Sequence, residues 1–306
     1  MNKDKFSQLI SVFTLIFISF YIVNNPDSYK DLLIIDALTV GIVVLIKSFT
    51  LILNSIFNFQ LLKAFKVNLN YFEALYISSV TFLGNFYLPA RSGANFRLLY
   101  LNRVHNLKSP ALTSIFFYFV FVTILLSSFF GMVSLIIIRS NNSFLYFASL
   151  ILLFCILNFS IFILQKRYTV KNKSKNTFRR WINKTQEEWN LISSKPRLQF
   201  FLISITTLNY FLFALELTII FNFMFNKIPL FEIFYFNSLS LFSSLVSITP
   251  ASLGIKEAII LISNDILGFE LANLVSILFI ERTISIIFSI IPSIVLVLNT
   301  LKSRTN

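Results

Sequence analysis

Six apolar runs fill about half of this chain, at about residues 6–23, 34–60, 111–138, 144–165, 199–224 and 271–298. A helix needs about 20 apolar residues to cross the hydrocarbon of a bilayer. Water is scarce there, so every backbone N–H must find its acceptor inside the protein, which leaves only helices and closed barrels. Runs this long suit helices and are about twice the length of a barrel strand. The chain is therefore expected to be all-α, a polytopic helical membrane protein that forms a single transmembrane domain over 1–306. Only 13% of its residues are charged and 56% are hydrophobic, against about 25% charged in a soluble domain. The run at 6–23 is long for a signal-peptide core and no small-residue cleavage site follows it, so it reads as a membrane helix. Cys155 lies inside an apolar run and reads as a small buried hydrophobe that forms no disulfide.

Two stretches do not fit the spanning pattern, and they match each other. Tyr71 to Leu101 and Leu230 to Ile260 both open with Phe-Glu-x-x-Tyr: Phe72, Glu73 and Tyr76 in one, Phe231, Glu232 and Tyr235 in the other. Both pass through a Ser-rich apolar segment and break at Pro-Ala-x-x-Gly, at Pro89, Ala90 and Gly93, then Pro250, Ala251 and Gly254. The offset is 159 residues at the Glu and 161 at the Pro, so a two-residue indel separates the copies. The halves on either side of each break are short for a span. Proline cannot donate a backbone hydrogen bond, and glycine tolerates unusual dihedrals. Each stretch therefore predicts a re-entrant helical hairpin, at about 71–108 and about 230–267, broken inside the membrane.

The net charge of +13 could suggest nucleic-acid binding, but in a membrane protein Lys and Arg collect in cytoplasmic loops. With both termini inside, the cytoplasmic side holds 18 of the 26 Lys and Arg, the outside 3, and the membrane zone the remaining five. This predicts about six full spans plus two hairpins in an inverted repeat. The first hairpin enters from the cytoplasm and the second from outside. Broken segments at corresponding places in two halves point to a transporter's midplane site. The stretch 166–198 carries ten Lys or Arg. Phe178, Trp181, Ile182, Trp189 and Ile192 recur there at helical spacing, the pattern of a basic amphipathic helix. It would rest on anionic inner-leaflet lipids, unless it is a plain cytoplasmic loop whose charge sets topology.

Charges inside a bilayer are costly and mark candidate sites. Arg91 and Arg97 flank the first break, and Lys256 and Glu257 follow the second. A guanidinium fits phosphate through paired hydrogen bonds, and a helix N-terminus adds free N–H groups. Arg91 and Arg97 are the candidate phosphate ligands, unless they form a structural ion pair that ties the hairpins together. Glu257 could pair with an arginine or accept an amine or a proton. Lys47, Glu216, Glu281 and Arg282 form the rest of a predicted intramembrane charge network, with Lys47 and Arg282 snorkelling or pairing between helices. Glu73 and Glu232 read as helix-start residues, His105 as a solvated residue in a basic turn, and Pro292 as a kink in the last span. One His and one Cys allow no metal-ligand cluster. No acidic pair, P-loop or nucleophile motif is present, and no cofactor is expected.

The segment Asn85-Phe-Tyr-Leu-Pro-Ala-Arg-Ser-Gly-Ala-Asn-Phe-Arg97 and the segment Thr249-Pro-Ala-Ser-Leu-Gly-Ile-Lys-Glu257 resemble the two signature segments of the lysylphosphatidylglycerol synthase transmembrane-region family, the flippase-like membrane proteins. Those read roughly N-x-x-L-P-x-R-x-G-E-x-x-R and P-x-x-x-G-x-x-E. Asn85, Leu88, Pro89, Arg91, Gly93 and Arg97 match the first, and Pro250, Gly254 and Glu257 match the second. Ala94 stands where the family carries Glu, so any proton or cation role of that Glu has no carboxylate here. The resemblance implies a lipid translocase with Asn85, Arg91, Arg97 and Glu257 at its substrate site, and Lys256, a charge beside Glu257, is expected there too. It also implies a stand-alone module without the soluble aminoacyl-transferase domain of the synthase. The expected activity is movement of an anionic phospholipid or lipid-linked glycan between leaflets of the cytoplasmic membrane. Two alternatives are an intramembrane transferase acting on a lipid or lipid-linked sugar, and a non-transporting partner of cell-envelope biosynthesis enzymes.

Overall fold

The computed structural model describes residues 35–88, 91–138, 143–166, 177–224, 228–245, 249–262, 264 and 271–305. The run at 6–23, Pro89 at the first break and residues 167–176 of the basic stretch lie outside the described residues. Among the described residues every regular element is helical and none is a strand. In chain order the helices are α1 (Ala37–Ala64), α2 (Tyr71–Tyr87), α3 (Ser92–His105), α4 (Ser109–Ile138), α5 (Ser143–Gln165), α6 (Thr177–Ser193), α7 (Pro196–Met224), α8 (Leu230–Leu245), α9 (Ile255–Ile262), α10 (Leu271–Phe288) and α11 (Ile290–Thr305). Five stretches are long and apolar enough to cross a membrane: α1, α4, most of α5, α7, and Leu274–Leu298 across α10 and α11. They correspond to five of the six expected spans, and the sixth is 6–23.

Local chemistry sets the ends. The Asp36 side chain caps α1 by accepting from the Thr39 N–H at 3.3 Å, and Asn70 caps α2 by accepting from the Glu73 N–H at 2.7 Å. Asn106 ends α3 in the left-handed conformation, φ 55°, that Asn tolerates at a helix C-terminus. The last span breaks at Ser289, three residues before Pro292, so the expected kink separates α10 from α11.

Both expected hairpins fold back on themselves. The first is α2 and α3. The second is α8, a 3-10 turn at Pro250–Ser252, and α9. At the open end of the first, Glu73 accepts hydrogen bonds from the Tyr100 hydroxyl at 2.8 Å and pairs with the His105 Nε2 at 2.7 Å. These contacts correct two expectations. Glu73 ties the hairpin's two arms together while Asn70 does the capping, and His105 is half-buried against that carboxylate.

α4 shows how the hairpins are oriented. It begins at the open end of the first hairpin. Along it Phe116 lies near Arg91, Phe130 near Phe234, and Gly131 against Ser238, while Arg91 also reaches the Ser244 carbonyl. Position rises along α4 as it falls along α8, so the two helices are antiparallel. The open end of the second hairpin therefore lies at the opposite end of the bundle from that of the first, and their tips meet between.

Polarity is reversed relative to a soluble bundle. On α1, Ile42, Leu45, Phe49 and Ile52 project outward, while Lys47, Thr50, Asn54 and Asn58 line the interior. Cys155 is also on the outer face, exposed on α5. This corrects the expectation of burial: α5 is apolar all round and packs by one side only. α6 turns Trp189 and Ile192 inward, with Trp189 against Tyr118 and Phe121 of α4. Only its Phe178–Trp181 end keeps an accessible aromatic stack.

Two apolar clusters form the core. One gathers Phe57, Leu61, Ile77, Leu101, Tyr118 and Leu202. The other gathers Val43, Leu135, Leu217, Phe236, Ile277 and Ile284. On α1 and α7 the residues between the clusters line a cavity.

Candidate functional site

The cavity has a volume of about 450 Å³ and lies between the two hairpin tips. α1, α4 and α7 form its walls, and the tips and α10 close it. All five cations that charge counting leaves in the membrane zone line it: Lys47, Arg91, Arg97, Lys256 and Arg282. Glu216 and Glu281 line it too. Leaving charges at this depth costs several kcal/mol each unless they are paired, and three of the five cations are paired. Lys47 Nζ lies 2.7 Å from Glu216 Oε1, joining α1 to α7. Lys256 on α9 pairs with Glu281 on α10, and Arg282 Nη2 lies 2.5 Å from Glu257 Oε1, a second bridge between the same helices. Three ion pairs thus link helices: Glu216 holds Lys47, one of the counter-ions expected for it, whereas Glu281 holds Lys256. Lys47 pairs across the bundle instead of snorkelling.

Arg91 and Arg97 differ. Among the described residues no carboxylate pairs with either. Arg91 donates from Nη2 to the Ser244 carbonyl at 2.9 Å and lies 5.9 Å from the Phe116 ring centre. Arg97 is 6% exposed. Its Nη1 donates to Asn58 Oδ1 at 3.0 Å, and Asn58 in turn donates to the Ser78 hydroxyl at 2.9 Å. Among the described residues its Nε has no partner. Five lining cations against Glu216, Glu281 and the adjoining Glu257 leave two positive charges, both at the first break.

The backbone at each break explains how the charges reach this depth. Arg91 is left-handed, with φ 52° and ψ 41°, and its carbonyl accepts from the Asn95 N–H at 3.1 Å to start α3. A non-Gly residue there is strained by about 1–2 kcal/mol. The second break uses left-handed Ala251 at φ 48° and Ser252 at φ 57°, plus Gly254 at φ 81°. Gly254 has the dihedral freedom expected of it. Gly93 does not use it: a Cβ there would lie 2.1 Å from the Thr81 carbonyl oxygen, and one on Gly84 would lie 2.5 Å from the Gly93 Cα. Gly93 is glycine because the arms of the first hairpin cross there backbone to backbone, which corrects the dihedral reading.

The other expected residues divide. Asn85 lines the cavity, and its Oδ1 accepts from the Ala94 N–H at 3.1 Å, bracing the first break. Ala94 is a buried lining residue. Glu257 adjoins the cavity without lining it: besides Arg282 it accepts from the Gly254 N–H at 2.7 Å, closing the second break on itself. Pro250 opens the 3-10 turn. Sequence reading missed Asn54, Asn58 and Asn209, although Lys47, Thr50, Asn54 and Asn58 recur every three or four residues and so share one helix face.

The family described as lysylphosphatidylglycerol synthase TM region matches residues 35–293. No curated protein and no solved structure matches the chain significantly.

Proposed function

The chain belongs to the lysylphosphatidylglycerol synthase TM-region family, and on that premise we propose that it moves a lipid with an anionic headgroup between the leaflets of the cytoplasmic membrane. One observation carries this reading: the two guanidiniums without a carboxylate partner among the described residues line a cavity between oppositely directed hairpin tips. A buried cation without a counter-charge is destabilising, and a phosphate would supply that counter-charge through paired hydrogen bonds. Acyl chains would stay in the surrounding lipid while the headgroup crosses through the cavity.

Movement would centre on the second hairpin. Its arm α9 is held to α10 by Lys256–Glu281 and Glu257–Arg282, pairs that would separate and re-form as the cavity opens to one side and then the other. The distribution of Lys and Arg, 18 against 3 outside the membrane zone, supports cytoplasmic termini, and Arg179, Arg180 and Lys184 on α6 would then face anionic inner-leaflet headgroups.

The test is a leaflet-accessibility assay in liposomes with labelled anionic lipids and native lipid extract. Wild type should translocate, whereas Arg91→Ala and Glu257→Gln should each slow flux by about tenfold or more. Unchanged flux in Arg91→Ala would remove the proposed role of the first break.

A further inference from the structure

The cavity has neutral polar groups as well as guanidiniums, and their placement narrows the substrate. Besides Arg97 Nε and the members of the ion pairs, two lining side chains carry a buried polar atom with no hydrogen-bond partner among the described residues: the Asn209 carbonyl oxygen and the Ser240 hydroxyl. Asn209 donates its own amide to Asn54 Oδ1 at 3.3 Å, and Asn54 lies one turn along α1 from Asn58, the partner of Arg97. Ser240 lies one turn along α8 from Ser244, whose carbonyl accepts from Arg91. One turn is about 5.4 Å. Both steps lead the same way, away from the open end of the first hairpin. Next to the guanidiniums, then, is a neutral layer that can accept hydrogen bonds. The three carboxylates around the cavity each already have a cation: Glu216 has Lys47, Glu281 has Lys256 and Glu257 has Arg282. Among the described residues none is left over for an ammonium group.

We propose that the cavity selects a phosphate ester whose next substituent is a hydroxylated, amine-free group, a polyol or a sugar. Arg91 and Arg97 take the phosphate, and Asn209 and Ser240 accept from hydroxyls about one turn further on. An ammonium headgroup meets two uncompensated positive charges and no free carboxylate. The inference deepens the translocase reading and rests on it for the site, but it concerns binding and can be tested without flux.

The experiment uses the full chain in detergent micelles, with native mass spectrometry measuring the occupancy of lipids that share the same acyl chains. Phosphatidylglycerol supplies the polyol and phosphatidylinositol the sugar-like ring. Phosphatidic acid has the phosphate alone, and phosphatidylethanolamine has the amine. At least one hydroxylated lipid should bind about tenfold better than phosphatidylethanolamine and several-fold better than phosphatidic acid, and whichever leads identifies the source. Asn209→Leu should bring that lipid down to the phosphatidic acid level and leave phosphatidic acid unchanged. Ser240→Ala, a smaller change, repeats the comparison should Asn209→Leu fail to fold. Asn209→Asp, by adding a carboxylate, should lower the phosphatidylglycerol-to-phosphatidylethanolamine ratio about tenfold. Equal binding of phosphatidylethanolamine, or of phosphatidic acid and both hydroxylated lipids, overturns the proposal. So does an unchanged ratio in Asn209→Asp. Selective binding without flux in liposomes would overturn the translocase reading and leave this one standing, and flux without headgroup selectivity would do the reverse.

Discussion

Glu216 and Arg97 are both buried charges in one cavity, and neutralising them should have opposite effects. Glu216 is 2% exposed and holds Lys47. Glu216→Gln would leave an ammonium without its counter-charge, which costs about 3 kcal/mol or more in a protein interior. Among the described residues Arg97 has no such partner and already carries an unmet donor. Arg97→Gln should therefore stay within about 1 kcal/mol of wild type while losing anionic-lipid binding. Melting temperatures in a single detergent compare the two, and an equally large fall for Arg97→Gln would mean that Arg97 has a stabilising partner. The identity of these charges was readable in the sequence, because cost in a bilayer singles out any cation that the loops do not account for. Their partners were not. Lys47 and Glu216 are far apart in sequence and meet only because α1 packs on α7, and nothing in the spacing along either helix says which neighbour it faces. Glu73 and His105 were misread for the same reason, since their contact exists only once the hairpin closes.

Helix-scale features were readable where a single segment sets them. The five described spans, both hairpins and the Pro292 kink follow from apolar length and from proline's missing N–H. Gly93 was not, because a glycine kept for dihedral freedom and one kept for close approach look alike in a sequence. The structure assigns close approach, so Gly93→Ala should destabilise the first hairpin by about 1–3 kcal/mol, as overpacking does. Thermal melting should show the loss, and Gly41→Ala, where a Cβ meets nothing within 4 Å, is the matched control. The dual character of α6 was also hidden. Its apolar positions read as an interfacial stripe, yet Trp189 packs on α4 and Ile192 is buried in the core. On the same helix, burial raises the Glu188 carboxyl above its ordinary value, with Glu187 adding to the rise and Lys108 opposing it. A raised folded-state pKa means that the folded protein holds this proton more tightly than the unfolded chain. The contribution is then complete below the ordinary carboxylate range and is lost as pH rises through the raised value. In a Trp181→Phe background, Trp189 emission should therefore report tighter α6 docking at about pH 4 than at about pH 7, and Glu188→Gln should remove the difference.

At the scale of the whole molecule, the opposed hairpins make one polar site out of two costly breaks. A lone break would expose strained backbone and charge to lipid, which the membrane does not accommodate. Two breaks entering from opposite ends can cover each other, as Arg91 does when it donates to the Ser244 carbonyl at the other tip. Counting spans predicted opposite entry, because three, an odd number, separate the copies. The antiparallel run of α4 and α8 gives the same orientation on independent grounds, with Phe116 near Arg91 and Gly131 against Ser238. That the tips touch was beyond the sequence, since topology fixes the side of entry and not the depth or the tilt. The arrangement makes a prediction about sidedness. Lys108 follows the first hairpin and Leu230 opens the second, and both are exposed. With Cys155 replaced by Ser, Lys108→Cys and Leu230→Cys should react with a membrane-impermeant maleimide from opposite faces of sealed vesicles. On the proposed topology, with both termini inside, the Lys108 face is expected to be the cytoplasmic one. Reaction of both from a single face would mean that the hairpins enter together. A cavity open alternately to the two leaflets would then lose its structural basis, even with every ion pair in place.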